Sequence, residues 1–192
     1  LLFGALLLGF YIFLFRGTDK WNAKLSVISY VKPFHFTTQD GLMFTDRDML
    51  GKVCVVEYFF TTCKGICPKM NTNMKVIYEQ FRNEPGLKWY ADSLKVDTKK
   101  WVFLTGRKDS LYQIARSAYM LDDPKNSVDK IEDQFIHTQF FALVDKDGKV
   151  RGQIYDGLKQ TELDRLKKDI KTLLAEKAAS GNFVNGIFNN NP

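Results

Sequence analysis

The run from Val53 to Phe60, VCVVEYFF, passes directly into TTCKGICPKM, and this junction constrains the 192-residue chain more than any other feature. A continuous β-branched and aromatic run is the pattern of a strand covered on both faces. From Pro68 to Arg82 the apolar side chains fall at Met70, Met74, Ile77, Tyr78 and Phe81, which is helical spacing. Proline fits the first turn of such a helix, where the N–H it lacks would have no partner. The order is therefore strand, cysteine-bearing loop, helix.

The same alternation continues along the chain. The spacing predicts a short helix over Leu87 to Leu94, a strand over Trp101 to Thr105, and a helix over Ser110 to Leu121 with Leu111, Ile114, Ala115 and Ala118 inward. Thr138 to Asp145 reads as a strand joined to Val150 to Tyr155 through a turn at Asp147 and Gly148. Thr161 can cap a last helix whose buried stripe is Leu163, Leu166, Ile170, Leu173 and Leu174. Earlier, Phe34 to Thr37 and Leu42 to Thr45 can pair as a hairpin about Gln39, Asp40 and Gly41. The pattern implies an α/β fold, a mixed sheet with helices on both faces. One strand is missing from it, because the helical patterns at Pro68 to Arg82 and Leu87 to Leu94 follow one another across Pro85-Gly86.

Leu1 to Phe15, LLFGALLLGFYIFLF, carries no charge. Fifteen helical residues span roughly 22 Å, short of the ~30 Å hydrocarbon layer, so the segment reads as the later part of a membrane helix. A secretory signal core is the alternative, but no small-residue cleavage site follows Phe15. The expected organisation is an anchor at 1–16, truncated at its start, a linker at 17–33, a globular domain at 34–178 and a polar tail at 179–192. A formal charge of +6 could suggest an anionic partner, yet Lys and Arg are interspersed with Asp and Glu, and no basic stripe with interleaved aromatics points to nucleic acid.

Three cysteines are too few for a disulfide scaffold, so the chemistry is expected at Cys63 and Cys67. An i, i+4 pair at a helix mouth sets two sulfurs on one side, roughly 5–6 Å apart at Cβ. Unpaired N–H groups at that helix end favour thiolate, the form that both nucleophilic attack and metal ligation require. A structural, a redox and a metal-binding reading all remain open on spacing alone. His137 stands just before the HTQFFALVD strand, where a strand mouth can approach the cysteine loop. Two thiolates and one imidazole suit Cu(I), or Cu(II) with an added oxygen ligand, better than a structural zinc. Cys54, inside the apolar strand, reads as a small buried hydrophobe, and His35 in PFHF as a packing residue.

The segments VVEYFFTTCKGICPKM, WVFLTG and FIHTQFFALVDKDGKVRGQIYDGL resemble the Sco/SenC family of membrane-anchored, thioredoxin-like copper proteins. The resemblance implies a thioredoxin core with an N-terminal β-hairpin extension and a single N-terminal transmembrane helix. It implies copper held by Cys63, Cys67 and His137, and delivery of copper, or of dithiol reducing power, to the binuclear copper site of cytochrome c oxidase. The implied partner is the copper-bearing oxidase subunit or a respiratory supercomplex. The implied place is the periplasmic side of a bacterial inner membrane, with the mitochondrial inner membrane as the alternative. A membrane-tethered thiol–disulfide oxidoreductase, with Cys63 attacking and Cys67 resolving, or a structural subunit of a respiratory complex, are the competing functions. The chain departs from the family where a strand ending in a Val-Asp-Pro-like motif should follow the cysteine helix. Asp97 in LKVDTKK does not replace that motif's Asp, and the strand is expected to belong to residues outside these 192.

Overall fold

The computed structural model describes residues 4, 7–11, 24–59, 63, 65–81, 87–89 (backbone only), 100–122 and 138–178. Among these the order is β1 (Val27–Tyr30), β2 (His35–Thr38), β3 (Met43–Thr45), a 3-10 turn (Asp46–Met49), β4 (Val53–Glu57), α1 (Cys67–Phe81), β5 (Leu87–Trp89), β6 (Leu104–Thr105), α2 (Lys108–Ser117), β7 (Phe140–Val144), β8 (Lys149–Arg151), β9 (Tyr155–Asp156) and α3 (Gln160–Ala175). The principal sheet runs β1-β8-β7-β4-β5, with β9 also on β7. A smaller sheet runs β3-β2-β6.

Alternation along β4 sends its side chains to two cores. Val53 and Val55 pack with Met70, Met74 and Ile77 of α1 and Leu166 and Ile170 of α3. Cys54 packs on the other face with Phe36, Phe44, Ile114 and Ala118. Burying each large aliphatic side chain contributes roughly 1.5–3 kcal/mol, so a strand buried on both faces is a firm base for the loop that follows it. The mixed sheet covered on both faces agrees with the pattern of the sequence. The β7–β8 turn forms because Asp145 Oδ1 accepts the N–H groups of Asp147 and Lys149, both at 2.9 Å, while Gly148 takes φ 76°, a conformation open to glycine.

Several expectations need correction. Val27–Tyr30, read as linker, is strand β1 and pairs antiparallel with β8, Ser29 facing Val150. The sheet therefore begins before Phe34. Leu87–Trp89, read as the start of a helix, is β5 and pairs parallel with β4, Val53 beside Leu87. An eight-residue helical pattern is marginal by itself, and the open edge of β4 offers it a ladder instead. The strand thought to be missing from the chain is thus supplied by residues within it. Residues 82–86, the rest of the expected helix, and Asp97 lie outside the described residues.

The expected strand from Trp101 shrinks to Leu104–Thr105, since the Phe103 N–H donates to Gln39 Oε1 at 2.9 Å rather than to a ladder partner. Val150 to Tyr155 is interrupted at Gly152, φ 78°, and its end pairs separately as β9. Tyr112, rather than Leu111, is the fully buried residue at the start of α2. Thr161 lies inside α3, whose entry is held by backbone bonds from Glu162 and Leu163 to the Lys159 carbonyl. His35 is exposed, because Phe34 and Phe36 supply the packing on this strand.

Residues 4 and 7–11 are helical and exposed, and among the described residues no helix is long and apolar enough to cross a membrane.

Candidate functional site

The ends of β4 and α1 bring the expected cysteines together. Cys63 lies in the loop between them and is half-exposed, whereas Cys67 opens α1 and is 5% exposed. The Cys63 sulfur accepts a hydrogen bond from the Cys67 thiol and others from the backbone N–H groups of Cys67, Gly65 and Ile66. These donors hold the Cys63 thiol below its ordinary range, the Cys67 side chain contributing most. The physical cause is the helix end, whose first N–H groups lack intrahelical partners and turn toward the sulfur. The arrangement offers one accessible sulfur poised as thiolate and a second, sheltered sulfur against it.

Both cysteines are free of a disulfide. Two adjacent soft donors fit a cuprous ion, and an N–H cradle already stabilises the anionic form of one of them. Among the described residues no group of three or more His, Cys, Asp or Glu side chains is disposed to hold a metal ion. His137 lies outside the described residues. Its neighbour Thr138 is buried and accepts the Phe140 N–H on Oγ1 at 3.2 Å. Because Phe141 faces Glu57 in the antiparallel β4–β7 ladder, residues preceding Phe140 lie toward the cysteine end of β4. Cys54 is fully buried on the opposite face of β4, in the core of Phe36 and Ile114, and is no part of this site.

One residue near the site escaped the sequence reading. Glu57, the last residue of β4, is 6% exposed, and among the described residues neither carboxylate oxygen has a hydrogen-bond partner. Burial pushes its carboxyl up to about 8. It shares a sheet face with Val53 and Val55, the face covered by α1 and α3. The available signal was an acidic residue inside an otherwise apolar strand.

A family model described as SCO1/SenC matches residues 23–89, a span that includes both cysteines. The SCO1 protein homolog of Bacillus subtilis is 30% identical over 162 residues, covering 74% of this chain and 81% of the relative. The chain belongs to the SCO1/SenC family. The mitochondrial SCO1 homolog of Homo sapiens is 28% identical, and the match spans 44% of that longer protein. Among solved structures, a SCO1/SenC family lipoprotein from Bacillus anthracis is similar with TM-score 0.64 and 27% identity, covering 79% of this chain and 99% of that one. BsSco, described as carrying a disulfide switch and as a member of the Sco family of cytochrome c oxidase assembly proteins, aligns with TM-score 0.63 and 26% identity, over 80% and 98% of the two chains. Copper-bound yeast Sco1, at 24% identity and TM-score 0.52 over 75% and 90%, shares the fold. The SCO1/SenC assignment agrees with the thioredoxin-like α/β arrangement of sheet and helices, and with cysteines at the mouth of its first long helix.

Proposed function

We propose that the chain binds copper through Cys63 and Cys67, completed by His137, and delivers it to the binuclear copper site of cytochrome c oxidase. The observation that carries this reading is the Cys63 sulfur, half-exposed and held by the Cys67 thiol and three backbone N–H groups. Binding replaces two S–H bonds with two Cu–S bonds and releases two protons. The donors that cradle Cys63 lower the cost of the first release. The description of BsSco as an oxidase assembly protein and the copper-bound state of yeast Sco1 support the same reading.

The second reading is dithiol exchange with a partner protein's disulfide. Cys63 as thiolate attacks one partner sulfur, the other partner sulfur leaves, and Cys67 then displaces the first while forming the Cys63–Cys67 disulfide. Two electrons pass to the partner, which departs as a dithiol. The contrast between an accessible, activated Cys63 and a buried Cys67 favours this as a second capacity of the site.

The apolar segment at 1–16 is best read as an anchor holding the domain on the periplasmic face of a bacterial inner membrane, with the mitochondrial inner membrane as the alternative. The description of the Bacillus anthracis relative as a lipoprotein supports a membrane-attached setting. Copper titration of the reduced full chain in detergent, with metal analysis, tests the principal reading. One equivalent of tightly held copper is expected, and failure to retain copper above the level of a Cys63→Ala/Cys67→Ala double variant rules it out.

A further inference from the structure

We propose that the edge strand β1 rests on an anionic bilayer surface, with exposed Val27, Ile28 and Tyr30 against the lipid and Lys24 and Lys32 against its headgroups. This rests on the reading of the apolar segment at 1–16 as an anchor. Val27 is 44%, Ile28 37% and Tyr30 61% exposed, on a strand that is outermost in its sheet among the described residues. Three large apolar side chains left in solvent within one short strand carry a steady exposure cost, which a covering surface removes.

The strand is held firmly where it displays them. The Gly152 N–H donates to the Ser26 carbonyl at 2.8 Å, and Arg151 Nε donates to the Leu25 carbonyl at 3.0 Å. Val27 faces Arg151 and Ser29 faces Val150, so Ile28 is the extra residue of a bulge. A bulge and flanking lysines keep another strand from adding to a sheet edge, which argues against a second copy of the chain as the occupant. Exposed Lys24 and Lys32 bracket the apolar residues, and exposed Lys177 follows Glu176, whose carboxylate meets Arg151 at 3.3 Å. Aliphatic and aromatic side chains bracketed by lysine match the boundary between headgroups and acyl chains of an anionic bilayer.

The covalent chain names the same occupant. Residues 17–26 join the apolar segment to β1 and reach at most about 40 Å even when fully extended, so an anchored chain keeps β1 within that distance of the membrane. β1 is antiparallel to β8, β8 to β7 and β7 to β4, so β1 starts at the end of the sheet where β4 delivers the cysteine loop. Two strands, β8 and β7, separate β1 from β4. With β1 on the lipid, β4 stands three strand spacings away, about 14 Å. The contact thereby fixes the height of the cysteine loop above the bilayer, which the tether alone leaves variable.

The test is hydroxyl-radical footprinting of the full chain, reconstituted into vesicles of phosphatidylcholine alone or of phosphatidylcholine with phosphatidylglycerol. Tyr30 reports on β1, and Met43, 75% exposed on the other sheet, is the internal reference. Tyr30 should be oxidised about fivefold more slowly in the anionic vesicles, with Met43 oxidised equally in both. High salt should abolish the difference, as should Lys24→Glu/Lys32→Glu, and the salt result decides even where that variant folds poorly. Equal oxidation of Tyr30 in the two lipids overturns the surface, as does equal protection of Met43. Protection that grows with the ratio of protein to lipid overturns it in favour of a second copy of the chain. Flotation of the same samples separates the two readings. A chain that does not float with either vesicle refutes the anchor and the surface together, whereas a chain that floats with Tyr30 equally oxidised refutes the surface alone.

Discussion

Glu57 stands directly opposite Phe141 in the antiparallel β4–β7 ladder, so an acidic residue shares its cross-strand pair with a fully buried aromatic ring. An ionised carboxylate there would be uncompensated, since among the described residues neither oxygen has a partner, and burial accordingly raises its pKa from 4.5 to about 8. The folded protein thus keeps Glu57 neutral where the unfolded chain has released the proton.

The sign of the pH effect follows. Between pH about 4.5 and 8 the folded state binds one more proton than the unfolded state, so stability falls as pH rises through that window and levels off above it. Wild type should lose on the order of 3 kcal/mol between pH 5 and 8 from this residue. Glu57→Gln, which cannot ionise, should flatten the profile and exceed wild type in stability at pH 8. Urea melts of both proteins at pH 5, 6.5 and 8 measure it, and parallel profiles would refute the assignment.

Copper binding should divide the site residues by ligand chemistry. Cys63→Ala and Cys67→Ala should each weaken Cu(I) and Cu(II) together, because each removes one of two thiolates. His137→Ala should weaken Cu(II) by about tenfold or more and Cu(I) less, since two thiolates suffice for the soft ion. Competition titrations in both oxidation states read this directly, and equal retention by all three variants would reject the ligand set.

The two thiols should also differ in reactivity. Cys67 supplies the largest of the influences that lower the Cys63 pKa, and Cys63 is the more exposed sulfur. Iodoacetamide at pH 7 should therefore label Cys63 first. In Cys67→Ala the thiol donor is lost, the Cys63 pKa rises, and labelling at pH 7 should slow severalfold while changing little at pH 10. Mass spectrometry of timed digests gives both rates.

How legible the site was depends on which force placed each part. The Cys63–Cys67 pair could be read directly, because a buried strand feeding a helix fixes where an i, i+4 pair sits. The turn at Gln39, Asp40 and Gly41 was visible for the same local reason, the residue types themselves favouring it. β1 and β5 were hidden because their order comes from long-range ladders, to β8 and to β4, that local pattern does not encode. Phe103 left its expected strand because a side chain 64 residues away took its N–H. Glu57 was passed over because periodicity scores a strand as a whole, and the cost of one buried carboxyl shows only when its surroundings are known. His137 was chosen for its position in the sequence before β7, and it lies outside the described residues.

Gly157 supports the site from below, and its replacement should be costly. Its carbonyl accepts Asn73 Nδ2 of α1 at 2.7 Å, tying the cysteine helix to the turn after β9. Its N–H donates to the Gln139 carbonyl, also at 2.7 Å, just before β7. A Cβ built there would lie 2.7 Å from Phe141 Cζ and 2.9 Å from that same Gln139 carbonyl. The ring could rotate away only by disturbing the face it shares with Glu57, and the backbone carbonyl cannot move without loosening the start of β7. Gly157→Ala should therefore destabilise the fold by roughly 1–3 kcal/mol, the usual cost of overpacking a tight site. Because the displaced carbonyl adjoins Thr138, the variant should also weaken Cu(II) more than Cu(I), following His137→Ala rather than the cysteine variants. Thermal melts and the two copper titrations on one preparation check both effects, and a variant that melts and binds copper like wild type would show that Gly157 does not brace the site.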